Sequence, residues 1–455
     1  MSDEFDAVTT RVRERVEPGP DEREALDAAV ESLVSRVEAA VGELPADAEV
    51  VLAGSTARDT WLAGERDVDL FVCFPPEIDR EYLESYGLRV GHGALPDSHE
   101  EYAEHPYVVG DFEGFRVDLV PCYAVESATE IQSAVDRTPF HTRYVTERLS
   151  TDLAGDVRVC KQFFEGIGVY GSDLRTEGFS GFLVELLILE HGGFRPLVEA
   201  AADWQPPVRF DPEDHGTAAF NDPLVVIDPT DPGRNVAAVL SAANLARFQH
   251  FARELLANPH EGLFEPDPPE PLAATAVREG FERRGTTPVA VRFDAPEVVE
   301  DQLWPQLERS RAGVADELGR RGFDVLRSDA FAQEGGDATL LCELAVAERP
   351  RVERHEGPPL GVREHAEGFY ETYADSDAFG PFVDGDRYVV ERDREYTTAA
   401  DFLDSDAILD VALGAHVETA LEDGYDLLVG DEVATLADTF GEELARFLDP
   451  TVRGL

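Results

Sequence analysis

The stretch GSTARDTWLAGERDVDLFVCF, residues 54–74, decides the fold. Its second half alternates carboxylate and aliphatic side chains, Asp67-Val68-Asp69-Leu70, and continues in β-forming residues to Phe74. That pattern predicts a strand over 67–74. Residues two apart on a strand share a face, so Asp67 and Asp69 stand side by side. Adjacent carboxylates repel, which is costly unless a cation sits between them. Hard oxygen ligands of this kind suit Mg²⁺ bridging a phosphate. Taken alone, D-x-D in a chain with 94 Asp and Glu reads as a solvated strand end.

The first half of the stretch supplies context. An apolar run at 50–53 predicts a strand that ends at Gly54-Ser55, with a helical turn through Trp61 and Leu62 after it. Glycine lets the backbone approach a phosphate closely. A following helix N-terminus offers free N–H groups and a positive dipole end. Ser55 adds a hydroxyl donor and Arg58 a charge. By itself the Gly-Ser pair also fits an ordinary helix N-cap. A third element is Asp118, inside the apolar segment Phe115-Arg-Val-Asp-Leu-Val120, a strand that Pro121 should end. A carboxylate inside an apolar strand needs a partner. Arg116, two residues away on the same face, is one candidate; a metal shared with the D-x-D pair is the other.

Outward from this core, residues 21–44 place Leu26, Val30, Leu33, Val37, Val41 and Leu44 on one helical face, stopped by Pro45. Residues 1–150 therefore read as a small mixed sheet with flanking helices. Residues 151–264 read as mainly helical, with a stripe at Val157, Cys160, Phe164 and Ile167. Residues 181–190, GFLVELLILE, are apolar nearly all round, as in a buried helix. The Pro-rich acidic run 265–271 is a linker signal. Beyond it, a strand at 288–293, a helix over 297–321 and strands at 323–331 and 338–347 suggest a ferredoxin-like unit. Helices at 407–421 and 431–448 close the region 272–455. The fold class is α+β and multidomain.

The net charge is −55, from 94 acidic residues against 39 Lys and Arg, and the excess runs through periodic, folded segments. Such a surface repels itself at low ionic strength. At molar salt the Debye length falls to about 3 Å and the penalty largely disappears. A halophile's protein is expected, and the usual search for a basic nucleic-acid face loses its value. Lys161 is the only lysine; the other 38 basic residues are arginine. Arg137, Arg143, Arg148, Arg158, Lys161 and Arg175 lie in a nearly neutral span that suits polyanions, although helix i,i+4 pairing also accounts for individual arginines. Cys73, Cys122, Cys160 and Cys342 match no zinc or redox spacing and read as buried thiols. The opening MSDEFDAVTT lacks a signal-peptide core, and no 18-residue apolar stretch occurs, so a cytoplasmic protein is expected.

Strand, Gly-Ser turn, helix, D-x-D strand and a later strand with one Asp form the pattern of the polymerase-β-like nucleotidyltransferases. Within that superfamily the chain resembles the archaeal, class I CCA-adding enzymes, which are tRNA nucleotidyltransferases. The resemblance is carried by GSTARDTWL (54–62), RDVDLFVCFP (66–75), CKQFFEGIGVYGSDLRTEGFSGFLVELLILEHGGF (160–194), IDPTDPGRNVAAVLS (227–241) and, more weakly, GPPLGV (357–362). One departure is Asp67, where the family commonly has Glu; the shorter acid is chemically equivalent.

The resemblance implies roles residue by residue. Asp67 and Asp69 would bind two Mg²⁺ ions, and Asp118 the catalytic one near the primer's 3′-OH. Gly54, Ser55 and Arg58 would hold the triphosphate. His141, Lys161 and Tyr170 would contact the phosphates and sugar, and Arg234 a base edge or phosphate. The only lysine would then be kept because a compact ammonium fits where a planar guanidinium does not. The substrates would be ATP, CTP and the acceptor arm of tRNA, gripped by the C-terminal region; a homodimer is compatible with this reading. A poly(A) polymerase and an inert RNA-binding scaffold on the same fold are the alternatives.

Overall fold

A computed structural model describes residues 2–102, 104–333 and 335–451. The chain forms two compact units, residues 1–267 and 268–455.

The first unit begins with helices α1 (Ser2–Val16) and α2 (Pro20–Val41). Then come β1 (Glu49–Ala53), the single turn α3 (Gly54–Ala57), β2 (Asp67–Phe74) and α4 (Arg80–Ala94). Strands β3 (Ser98–Tyr102), β4 (Pro106–Phe112) and β5 (Phe115–Tyr123) complete a five-stranded sheet of order β1-β2-β5-β4-β3. Only β2 and β5 run parallel, so the sheet is mixed. Period-2 alternation divides β2 cleanly. Val68, Leu70, Val72 and Phe74 are buried beneath Leu26, Leu33 and Val37 of α2 and Leu83 and Val90 of α4. Asp67, Asp69, Phe71 and Cys73 face the other way.

Two local expectations change. The helical turn after Gly54 is only four residues long, too short for a useful dipole, and Trp61 and Leu62 are buried in a loop beyond it. Pro121 does not end its strand. Ala124 N–H donates to Phe74 O and Tyr123 N–H to Asp136, so alternation turns residue 121 away from β2. The ladder to β4 stops at Leu119, and the missing proline N–H faces a side with no strand to bond.

The central segment holds α5 (Thr138–Arg148), α6 (Thr151–Gly166), α7 (Gly181–His191) and α8 (Phe194–Ala201). It is less purely helical than expected. A three-stranded sheet of β6 (Val208–Phe210), β7 (Leu224–Asp228) and β8 (Asp231–Asn235) precedes α9 (Ala242–Ala257). The DPTDPGRN run is polar and turn-rich, and only its hydrogen bonding to the apolar β7 makes a strand of it. Helix α1 buries Phe5, Val8, Val12 and Val16 in the core of this helical layer, together with Phe163, Phe164 and Leu187.

The second unit contains α10 (Ala274–Arg284), β9 (Thr287–Asp294), α11 (Glu300–Arg320), β10 (Asp324–Ala332) and β11 (Asp337–Val346). A small three-stranded sheet follows: β12 (Val352–Pro359), then α12 (Arg363–Tyr373), β13 (Phe379–Asp384) and β14 (Arg387–Asp393). The chain ends in α13 (Ala399–Leu403), α14 (Ala415–Asp423), β15 (Asp426–Val429) and α15 (Ala437–Leu448). The main sheet has order β10-β11-β9-β15 and is antiparallel between neighbours. This is the ferredoxin-like arrangement, with β12–β14 inserted before its second helix, α14. Leu307 and Val314 of α11 and Val417 of α14 cover one face. Val277 of α10 and Phe440 and Leu444 of α15 cover the other.

Candidate active site

The site lies on the face of β1, β2 and β5 turned away from α2 and α4. Asp69 stands at its centre, opposite Ala53 on β1 and in register with Asp118 on β5. Gly54 turns the chain out of β1 at a φ of +67°, the left-handed region, and its α-carbon lies directly against the Asp69 carboxylate. Thr56 Oγ1 donates to the Asp67 carbonyl at 2.7 Å and ties the turn to the start of β2. Ala53, Phe71, Cys73 and Cys122 floor the same face. The two sulfurs there lie 3.0 Å apart, free and buried.

The electrostatics are those of crowded carboxylates. Burial, Asp118 and Asp67 push the Asp69 carboxyl up to about 6, while Arg58 pulls it down. Burial also raises Asp118, against the pull of Arg116. Arg116 Nε lies 3.5 Å from Asp118 Oδ1, so the local ion pair is present. Yet that buried oxygen accepts no hydrogen bond. A buried carboxylate oxygen with only a long ion-pair contact, beside two like charges, fits a cation site. Asp67 is exposed, and among the described residues no three acidic, His or Cys side chains already converge on one point.

Behind the Gly-Ser turn, the loop at 58–62 is pinned by buried charge. Arg58 Nε pairs with Glu185 Oε2 at 2.8 Å, and Thr60 Oγ1 donates to Glu185 Oε1 at 2.6 Å. Glu185 is fully buried in α7. Lys161 is buried too, and its Nζ donates to the Thr60 carbonyl at 2.8 Å. Burial lowers the Lys161 pKa and Glu185 opposes that. Arg158 donates from Nε to the Trp61 carbonyl at 3.1 Å. So the ammonium of the only lysine donates to backbone inside the protein. Gly181 opens α7 where a β-carbon would stand 3.2 Å from the Tyr170 hydroxyl.

A third group gathers round Asp228, at the end of β7. His141 Nε2 donates to its Oδ2 at 2.8 Å, and Arg234 donates to the same oxygen at 2.9 Å. His141 is stacked on Phe182 with ring centroids 4.0 Å apart. Thr142, its neighbour on α5, accepts from Arg58 at 3.3 Å. Arg58 thus links the carboxylate face, the loop network and the α5 side of the site.

The sequence reading missed Glu185 and Asp228. Both carried a signal like that of Asp118: a carboxylate in an apolar stretch, LVELL around Glu185 and LVVID ending at Asp228. Of the basic span, Arg158 is wholly buried in loop support, while Arg137 pairs with Asp231 and Arg148 with Glu213.

A mixed sheet presenting D-x-D beside an in-register third carboxylate, with a Gly-Ser turn against them, defines a nucleotidyltransferase. The description "Nucleotidyltransferase domain" matches residues 34–141, "tRNA nucleotidyltransferase, second domain" residues 155–265, and "CCA-adding enzyme, C-terminal domain" residues 284–430. The CCA-adding enzyme of Haloarcula marismortui is 62% identical, covering 99% of this chain and all of that protein. That of Halorubrum lacusprofundi is 60% identical over 98% of the chain and 99% of its own length. That of Methanoregula boonei is 43% identical over 95% and 92%. The chain belongs to the CCA-adding enzyme family.

Proposed function

We propose that the protein adds C, C and A in turn to the 3′ end of tRNA, using CTP and ATP without a nucleic-acid template. The observation that carries this reading is the register pairing of Asp69 with Asp118, under Gly54 and beside Arg58. Asp67 and Asp69 would hold both metals and Asp118 the one nearest the acceptor. When bound, a pair of Mg²⁺ ions would make the acceptor 3′-OH more acidic and neutralise the departing pyrophosphate. The 3′ oxygen bonds the α-phosphorus as the bond to the pyrophosphate oxygen breaks. The chain's own work is positioning. Ser55 and Arg58 hold the triphosphate; Lys161, Arg158 and Glu185 keep the loop behind them rigid. His141, Tyr170 and Arg234 meet the rest of the nucleotide.

The proposed division is a catalytic head over residues 1–150, a central domain over 151–264 that completes the pocket, and a tRNA-binding region over 272–455. Duplex RNA is gripped mainly through shape and backbone contacts. No helix among the described residues is long and apolar enough to cross a membrane. A cytoplasmic site of action follows from the tRNA substrate, and size-exclusion with light scattering tests the homodimer.

The test incubates the protein with tRNA lacking its 3′ CCA, Mg²⁺, CTP and ATP in molar KCl, and sequences the product ends. Ordered addition that stops after A supports the reading. A run of A would make the protein a poly(A) polymerase, and no incorporation an inert RNA-binding scaffold.

A further inference from the structure

Asp228 is the last residue of β7, whose five residues are all buried. A carboxylate taken out of water there must have its acceptors filled. They are. Oδ1 accepts from the Thr230 N–H at 2.9 Å and the Thr230 hydroxyl at 2.8 Å. Oδ2 accepts from His141 Nε2 at 2.8 Å and from an Arg234 terminal nitrogen at 2.9 Å. Burial pushes the Asp228 carboxyl up, but His141 and Thr230 outweigh it and hold the group far below the usual range. Asp228 is therefore ionised and can only accept.

That settles the chemistry of its two partners. An acceptor-only carboxylate forces the proton of His141 onto Nε2. Burial lowers the pKa of the imidazole, although Asp228 raises it, and the net direction favours the neutral ring. A neutral ring with Nε2–H already donated offers a nucleotide only the lone pair of Nδ1. Phosphate oxygens also only accept, so they gain nothing from Nδ1; a sugar hydroxyl, which donates, does. Arg234 spends one terminal nitrogen on Asp228 while its side chain stays 37% exposed, which leaves other donors of the fork turned outward.

We infer that Asp228 is a positioning residue of the nucleotide pocket: it fixes His141 as an acceptor for a ribose hydroxyl and anchors Arg234 as a donor. The enzyme then distinguishes ribonucleotides from deoxyribonucleotides through a residue that touches neither. This rests on the reading above that His141 and Arg234 meet the nucleotide, and sharpens it by moving His141 from phosphate to sugar.

The test is Asp228→Asn, nearly the same size but able to donate and so to accept either ring tautomer. Single additions onto tRNA are measured with CTP and with 2′-deoxy-CTP, alongside thermal unfolding. The expected result is a KM for CTP raised about tenfold, little change for 2′-deoxy-CTP, and kcat within a fewfold of wild type. The ribose preference then falls about tenfold, and Asp228→Asn has no further effect on it in a His141→Ala background. A folded Asp228→Asn that keeps the wild-type preference overturns the inference. So does one that loses both nucleotides equally, which is the mark of a purely structural role. If Asp228→Asn does not fold, His141→Asn takes its place: an unchanged preference overturns the inference and a collapsed one supports it. A wild type that incorporates neither nucleotide overturns the function and this inference together.

Discussion

Gly54 and Asp69 are in direct contact across the turn that opens the site: a β-carbon built on Gly54 would overlap Asp69 Oδ2 and stand 2.8 Å from its Cγ. The turn and the strand that carries Asp67 and Asp69 are thus fitted to one another, and any side chain at 54 moves the carboxylate. Gly54→Ala also meets backbone strain, because φ is +67°. Misplacing a reacting group by about 1 Å costs roughly a hundredfold in rate. Gly54→Ala is expected to lose about that much kcat while still binding tRNA, as read by single-turnover incorporation and a tRNA gel shift. Near-normal turnover would mean that the contact does not matter.

Asp69→Asn and Asp118→Asn are expected to abolish incorporation with tRNA binding retained. Each also removes one of the crowded like charges, so neither variant melts appreciably below the wild type in EDTA. Ligands that bind only the native state raise its stability. Mg²⁺ should therefore raise the melting temperature of the wild type and not of the variants. Turnover in both variants would refute the metal assignment.

Lys161→Arg tests why one lysine survives. Its buried ammonium reaches the Thr60 carbonyl at 2.8 Å, and a guanidinium there is bulkier and planar. Overpacking of this kind costs about 1–3 kcal/mol. A lowered melting temperature and a weakened Arg58 position, seen as a raised KM for CTP, are expected. Wild-type behaviour in both would show that the position accepts either cation.

Glu343 gives the second unit a pH dependence. It is fully buried in β11 and accepts from Arg284 at 2.5 Å, Arg327 at 2.7 Å and Thr286 at 2.6 Å. Burial raises its pKa, but these bonds outweigh burial and hold it below the usual glutamate range. A depressed carboxylate stabilises the fold above its unfolded pKa, and that contribution is lost as pH falls through the folded value. Breaking a buried ion pair costs about 3–5 kcal/mol. Glu343→Gln should lose about that much at neutral pH, with the gap to wild type closing as the solution is acidified. Urea melts of the full chain over a pH series measure it; a constant gap would refute the linkage.

A net charge of −55 makes stability depend on salt. The melting temperature should climb from about 0.1 M to about 3 M KCl as self-repulsion is screened. Binding to tRNA should weaken with salt less steeply than for a basic protein that neutralises 6–10 phosphates. Titrations across the same salt range would expose a steep slope if this is mistaken.

Much of the site was legible. Asp67, Asp69 and Asp118 could be placed because strand alternation is a local rule, obeyed wherever a strand forms. The buried helix at Gly181–His191 and the strand-helix-strand-strand order after the linker were equally readable from periodicity. The strand character of Asp231–Asn235 was not, because those residues become β only by pairing with Leu224–Asp228. Nor was the loop at Trp61 and Leu62, where burial of Trp61 in the core of the sheet and of Leu62 against α6 overrides a helical pattern.

By itself, then, the sequence determined which residues share a face and which elements hold carboxylates where carboxylates are expensive. Those are consequences of backbone geometry over a few residues. Only the tertiary structure decided what each buried charge meets. His141 and Asp228 are separated by 87 positions, and Arg58 and Glu185 by 127. No local pattern encodes such pairs; they exist because two apolar layers, packed from distant segments, leave one place where opposite charges can be buried together.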